Sequence, residues 1–241
     1  MGAFLFKGVN NSISLKPINS VKLIKTSREQ KFLMEKSTAH KFNKVAKIYN
    51  TPIFQFYYLW AHKSCLNFLK GFIKNDFKVL DIACGTGIFL KKINERYKGA
   101  TLSGIDNSEE MIFVANKNPG AINFNVAGAE KIPFEDNSFD LVTIIDAFYY
   151  FQNKEAALKE CSRILKRNHC LFIFQPAADI FPKFILKQIQ FISKLLFFNL
   201  ESYSSFPKMY ELEKMADEAN LKIVIKKGII NRFILLKKFK N

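Results

Sequence analysis

The run from Phe77 to Ile93, FKVLDIACGTGIFLKKI, passes from an apolar strand-like segment through a glycine turn into a helical pattern. It opens a series in which strand and helix alternate. TLSGID reads as a strand, and the helix after it starts at Ser108, whose hydroxyl can cap a first turn that contains Met111 three residues on. INFNVA is a third strand. A polar loop, GAEKIPFEDNS, leads into the strand FDLVTIIDAF, and a helix with an apolar stripe at Ala157, Cys161, Ile164 and Leu165 precedes CLFIFQPA. Such alternation predicts a mostly parallel sheet with helices on both faces. The end of the chain departs from it. MYELEKMADEANL is a helix, and KIVIKKGII and RFILLKKF are two strands joined by a short turn, an antiparallel hairpin that closes the sheet.

With 241 residues, the chain fits one domain carrying an added cap. Residues 1–36 read as a basic, poorly ordered tail, with no acid before Glu29, and 37–241 as the folded domain. Within it, 37–73 form a helical cap. Phe54, Tyr57, Tyr58, Ala61, Cys65, Phe68, Leu69 and Phe72 recur there at helical spacing, a stripe that faces either core or the wall of a substrate pocket. A helical insertion is expected over 182–207. Its stripe of Lys183, Lys187, Gln190 and Lys194 against Ile185, Leu186, Ile189 and Ile192 fits a helix packed on the body, a lid over an apolar substrate, or a membrane-surface helix. Lys187 and Lys194 interrupt the most apolar region, so no transmembrane span is predicted.

The formal net charge is +16. That excess suits nucleic acid, an anionic membrane surface or an acidic partner, and equally a composition biased toward Lys, Asn, Ile and Phe. The lysines form no run of five or more. Cys65, Cys84, Cys161 and Cys170 read as reduced thiols, and neither they nor His40, His62 and His169 stand at metal-ligand spacing, so no metal is expected.

The glycine loop narrows the ligand. A dinucleotide site needs G-x-G-x-x-G; Gly85 and Gly87 are present, but Leu90 stands at the third position. Asp81, at the carboxyl end of the first strand, repels a pyrophosphate and attracts a cation such as an α-amino group. Asp106 ends the second strand about 20 residues after the glycines, where an acid accepts hydrogen bonds from ribose hydroxyls. A nucleoside with a cationic amino-acid end and no phosphates meets these conditions. S-adenosylmethionine is such a molecule.

VLDIACGTG resembles the first motif of class I S-adenosylmethionine-dependent methyltransferases, LSGIDNSEEMI the second and AGAEKIPFEDNSFDLV the third. ECSRILKRNHCLFI is similar to the stretch that those enzymes place before the fifth strand. The resemblance runs from about Phe42 to Lys238 and implies a Rossmann-like, doubly wound, seven-stranded sheet. It also implies roles. Asp81, Ala83, Thr86 and the backbone at Gly85 and Gly87 would hold the methionine end, and Asp106 the ribose. Asn107 and Met111 would flank the adenosine, and Gly128, Ala129 and Glu130 would lie along the adenine edge. Many relatives carry Asp or Asn where Gly128 stands, so a side-chain contact to adenine is missing. The family's Pro-Gly-Gly turn reads Arg167-Asn168-His169 here; Asn and His tolerate positive φ, and His169 is read as a turn residue, not a base.

KFNKVAKIYN resembles the entry helix of ubiquinone and menaquinone biosynthesis methyltransferases. Phe42, Ala46 and Tyr49 match, while Asn43 and Asn50 replace acids. Two further features of that group differ: its Gly-x-x-Arg-x-Trp stretch is not clear near Trp60, and Tyr149-Tyr150 stand where it has Arg-Asn. The expected reaction is methyl transfer to a small apolar acceptor, a quinone or lipid precursor. Asp146, Tyr149 and Tyr150, ending the fourth strand, are pocket candidates, and Tyr49 and Tyr57 are substrate-pocket candidates. The alternatives are a nucleic-acid methyltransferase, disfavoured by the absence of an Asn/Asp-Pro-Pro-Tyr/Phe stretch, and a non-catalytic cofactor-binding protein. The expected location is cytoplasmic, at a membrane surface if the basic segments dock there, or mitochondrial for a eukaryotic source.

Overall fold

The structure is a computed structural model and describes residues 39–40, 42–176, 206–228 and 231–239. The tail of residues 1–36 and nearly all of the 182–207 insertion lie outside the described residues. Helix α1 (42–49) is followed by α2 (Pro52–Leu69). Pro52 stands at the start of α2, where its missing N–H costs nothing, and it biases Thr51 to the extended conformation that separates the two helices. Strands β1 (Lys78–Ile82), β2 (Thr101–Asp106), β3 (Ile122–Val126) and β4 (Phe139–Ile145) alternate with α3 (Ile88–Arg96) and α4 (Glu109–Ala115). A short 3-10 turn, Phe148–Tyr150, leads to α5 (Lys154–Ile164), β5 (Leu165–Pro176), α6 (Met209–Glu218), β6 (Leu221–Lys227) and β7 (Asn231–Lys238).

The strands form one sheet in the order β3-β2-β1-β4-β5-β7-β6. β1 to β5 run parallel, and β7 pairs antiparallel with both β5 and β6. This is the expected Rossmann-like sheet with its closing hairpin. Strand alternation divides the core. Leu80, Val142, Ile144, Leu171 and Ile173 pack against Leu158 and Cys161 of α5 and Leu212 of α6. Val79, Leu102, Leu141, Phe172 and Phe174 pack on the other face against Ala61, Cys65 and Leu69 of α2 and Leu90 of α3. The aromatic stripe of α2 is therefore core in this part: Phe68 stacks on Phe172 and Phe233 at 5.2 and 5.3 Å.

One boundary differs from the sequence reading. Leu165, assigned to the apolar stripe of the preceding helix, begins β5 and pairs with Phe139. The turn at residues 167–169 survives as a bulge in β5: pairing resumes at Leu141 with Cys170, and Asn168 takes φ 64°. His169 sits at the amino-terminal end of the parallel strands, with Nε2 3.1 Å from Asp140 Oδ1. Asp140 also accepts from the Lys78 N–H and Lys166 Nζ. A structural anchor, not a reacting base, is what this geometry describes.

Candidate active site

A cavity of about 500 Å3 opens beyond the carboxyl ends of the parallel strands, the side on which such sheets bind ligands. Its floor begins at the loop after β1. Three residues there take left-handed backbone: Ala83 (φ 58°), Gly85 (φ 54°) and Gly87 (φ 75°). Ala83 carries a Cβ in that conformation at a cost of about 1–2 kcal/mol. Gly87 has no such option, because a Cβ there would lie 2.3 Å from Phe124 Cζ. Phe124 is a buried β3 residue, so the glycine turn is packed directly under the third strand.

Asp106 joins the loops that meet at the cavity. Its Oδ2 accepts from the Gly85 N–H at 2.9 Å and its Oδ1 from the Ser108 N–H at 2.9 Å, while its carbonyl accepts from the Ala127 N–H. Burial raises the Asp106 carboxyl above its ordinary range, and these amide hydrogen bonds oppose the rise. An ionised carboxylate has about four acceptor sites, so each oxygen keeps capacity for a further donor. The donor set also tests the ligand. The Gly85 N–H that a pyrophosphate would need is already given to Asp106, so the loop fits a ligand without phosphates and with hydroxyls to donate.

Of the residues expected at the cofactor, Ala83, Gly85, Asp106, Asn107, Met111, Gly128, Ala129 and Glu130 line the cavity. Met111 is placed by the expected cap: its N–H donates to Ser108 Oγ at 3.1 Å. The loop carrying Gly128 to Glu130 is held from behind by Arg163, which donates to the carbonyls of Ile132 and Phe134 and to Glu160 and Asp136. Asp81, Thr86 and Gly87 are not among the lining residues. Asp81 is the register partner of Thr143 in the β1–β4 pair, so the two side chains share a face, and Asp81 Oδ1 accepts from Thr143 Oγ1 at 2.6 Å. Thr86 Oγ1 is engaged by Asn50, and Gly87 lies under the Phe124 ring.

Asp146 and Tyr150 line the cavity as well, and Asp146 takes φ 53° where the chain leaves β4. Tyr149 is not in the lining; it is buried, with its ring 4.2 Å from that of Tyr150. Tyr49 lines the cavity and hydrogen-bonds Tyr58. Burial drives its hydroxyl far above the ordinary range, and the charges of Asp146 and Asp106 add to this, so Tyr49 stays a neutral donor. The Tyr57 side chain lies outside what the structure describes.

Two residues with no site role assigned from sequence hold the roof. Asn50 Oδ1 accepts from Thr86 Oγ1 at 2.6 Å, and Asn43 Oδ1 accepts from Ser108 Oγ at 2.5 Å. They clasp the α1 segment to the loops after β1 and β2. The signal was present: the two asparagines are seven residues apart, on one helical face, at the positions where the similar entry helix carries acids. Asn43→Ala and Asn50→Ala should each lower stability by about 1 kcal/mol, the loss of one net hydrogen bond, and loosen the loops after β1 and β2 enough to weaken S-adenosylmethionine binding. A thermal melt beside isothermal calorimetry checks this, and unchanged melting temperature and affinity in both variants refute the clasp.

The fold has relatives among known proteins. The methyltransferase domain family matches residues 80–173, from within β1 to within β5. The demethylmenaquinone methyltransferase of Staphylococcus aureus (strain MRSA252) is 32% identical over 168 residues, covering 61% of this chain and 69% of that protein. The chain belongs to the class I S-adenosylmethionine-dependent methyltransferases. The demethylmenaquinone methyltransferase of Thermotoga maritima is 36% identical over 101 residues, 42% of this chain and 44% of that protein. The chain thus spans about half the length of the first curated relatives it matches. In fold, this methyltransferase is similar to a SAM-dependent methyltransferase from Aquifex aeolicus, with TM-score 0.60, 17% identity and coverage of 80% and 97% of the two chains. Its cofactor is S-adenosylmethionine.

Asp81 gives the methyltransferase a measurable pH signature. Burial pushes the Asp81 carboxyl from 3.8 up to about 7; the Thr143 hydrogen bond opposes the rise and the Asp106 charge adds to it. Between those values the folded chain keeps a proton that the unfolded chain has released. The stabilisation from this group is complete below 3.8 and is lost as pH rises to about 7, at about 1.4 kcal/mol per pH unit at most. Denaturant titrations of cofactor-free wild type and Asp81→Asn should diverge over that window, wild type losing stability relative to the variant as pH rises. Parallel curves would exclude a raised Asp81.

Proposed function

We propose that this chain transfers a methyl group from S-adenosylmethionine to a small apolar acceptor of the quinone class. The observation that carries the reading is the second half of the cavity. Beside Gly85, Asp106 and Met111, the same space is walled by Phe42, Tyr49, Tyr58, Tyr150 and Phe151, with the Tyr49 ring next to Gly85. Aromatic walls suit a flat, apolar ring, and Phe42 and Tyr150 meet edge to face at 5.4 Å. The S. aureus and T. maritima relatives, both named demethylmenaquinone methyltransferases, support the same acceptor class.

Bound there, the cofactor supplies a methyl group already activated by its sulfonium. The chain's own work is then alignment and exclusion of water. Asp106 orients the ribose, and the Ala83–Gly85 backbone sets the methionine end. The α1–α2 roof presents Tyr49 as a hydrogen-bond donor to an acceptor oxygen. Asp146, which lines the same cavity, would take a proton from a hydroxyl on the acceptor ring.

The test is incubation with methyl-labelled cofactor and, separately, a demethylated quinone reduced to its hydroquinone, which carries the ring hydroxyl, or bulk RNA. Label is expected in the quinone fraction well above the RNA fraction. The reverse order assigns the chain to nucleic acid, and cofactor binding with no transfer to either acceptor favours a non-catalytic role.

A further inference from the structure

The outer face of the helices that roof the cavity combines exposed apolar side chains with an excess of positive charge: Leu59 and Lys63 share a groove with Lys92, Arg96 and one acid, Glu95. Trp60 is 51% exposed, Leu59 47% and Ile48 45%, large values for such side chains. On α2, Trp60 and Lys63 stand three residues apart and Leu59 and Lys63 four apart, so they share a surface, with Asn67 and Lys70 continuing it. The opposite face buries Ala61, Cys65 and Leu69. Between residues 42 and 75 there are five lysines and no aspartate or glutamate. All five, Lys44, Lys47, Lys63, Lys70 and Lys74, are exposed.

We infer that this face of α1 and α2 docks on the surface of an anionic phospholipid bilayer. Charge complementarity selects the partner. A stretch with lysines and no carboxylate is attracted to a continuous negative surface, and a tryptophan beside lysines matches the headgroup boundary, where one part is apolar and the other wet. Nucleic acid offers the charge but no apolar layer for Leu59 and Ile48. The contact is peripheral: among the described residues no helix is long and apolar enough to cross a membrane. The surface stands on its own residues and does not depend on which acceptor is methylated. It adds that the roof of the cavity faces the phase in which an apolar acceptor dissolves.

Trp60 is the chain's single tryptophan and reports directly. With vesicles of phosphatidylcholine and phosphatidylglycerol its emission should shift to the blue, and pelleting should carry the protein down. Vesicles of phosphatidylcholine alone should do neither, and high salt should reverse both effects. Lys63→Glu with Lys70→Glu should weaken vesicle binding by more than about twenty-fold, at about five-fold for each lysine lost, and leave S-adenosylmethionine binding unchanged. Unshifted Trp60 emission with anionic vesicles overturns the inference. So does pelleting that is insensitive to the two reversals, or binding to single-stranded RNA that the reversals abolish while vesicles are ignored. Cofactor affinity, measured on the same samples, is read separately, so failure here leaves the methyl-transfer proposal untouched.

Discussion

Asp106→Ala is expected to lower S-adenosylmethionine affinity by at least about a hundred-fold, because two hydrogen bonds from ribose hydroxyls to an ionised carboxylate are each worth about 1.5–3 kcal/mol. The same change leaves the Gly85 and Ser108 N–H groups without their acceptor, so some loss of stability accompanies it. Asp106→Asn separates the two effects. Its volume is unchanged and its amide oxygen still accepts from one of the N–H groups, while its NH2 faces the other, so its melting temperature should fall by less than that of the alanine variant. Its affinity should fall between the other two proteins. Calorimetry and a thermal melt on the three proteins decide the matter. An alanine variant that binds as tightly as wild type removes Asp106 from the cofactor site.

The second large effect falls on the fold. Gly87→Ala puts a Cβ at φ 75°, costing about 1–2 kcal/mol, and 2.3 Å from Phe124 Cζ, costing about 1–3 kcal/mol through overpacking. A total of about 2–5 kcal/mol is a large share of the 5–15 kcal/mol that typically holds a domain together. Gly71→Ala is the internal control: it meets nothing within 4 Å and has no positive φ, so it should change stability by less than about 0.5 kcal/mol. Adding Phe124→Leu to Gly87→Ala should recover the clash but not the backbone strain. Equal stabilities for Gly71→Ala and Gly87→Ala in urea titrations would show that the turn relaxes freely.

Much of this was legible because the informative residues are local. Gly85, Gly87 and the alternation of apolar runs specify strand, turn and helix within a few positions. Asp106 carries its message by ending a strand about twenty residues after the glycines. What escaped depends on which way a side chain points or on a distant partner. Asp81 was correctly placed at the end of β1, but strand alternation aims it at Thr143, 62 residues away, and not into the cavity. Leu165 continues a helical stripe by spacing, yet its pairing with Phe139 makes it a strand residue. A buried apolar residue satisfies both patterns. Asn43 and Asn50 showed as departures from a familiar pattern, and their role needs Ser108 and Thr86, which only the folded chain brings near.

The two asparagine clasps also bear on kinetics. They tie the aromatic α1–α2 wall of the cavity to the loops after β1 and β2, the loops proposed to hold the cofactor. For the proposed reaction the expected order is cofactor before acceptor, with the demethylated cofactor last to leave. That product should then compete with S-adenosylmethionine in initial-rate plots and act as a mixed inhibitor against the acceptor. Asn43→Ala with Asn50→Ala should relax that pattern toward random addition.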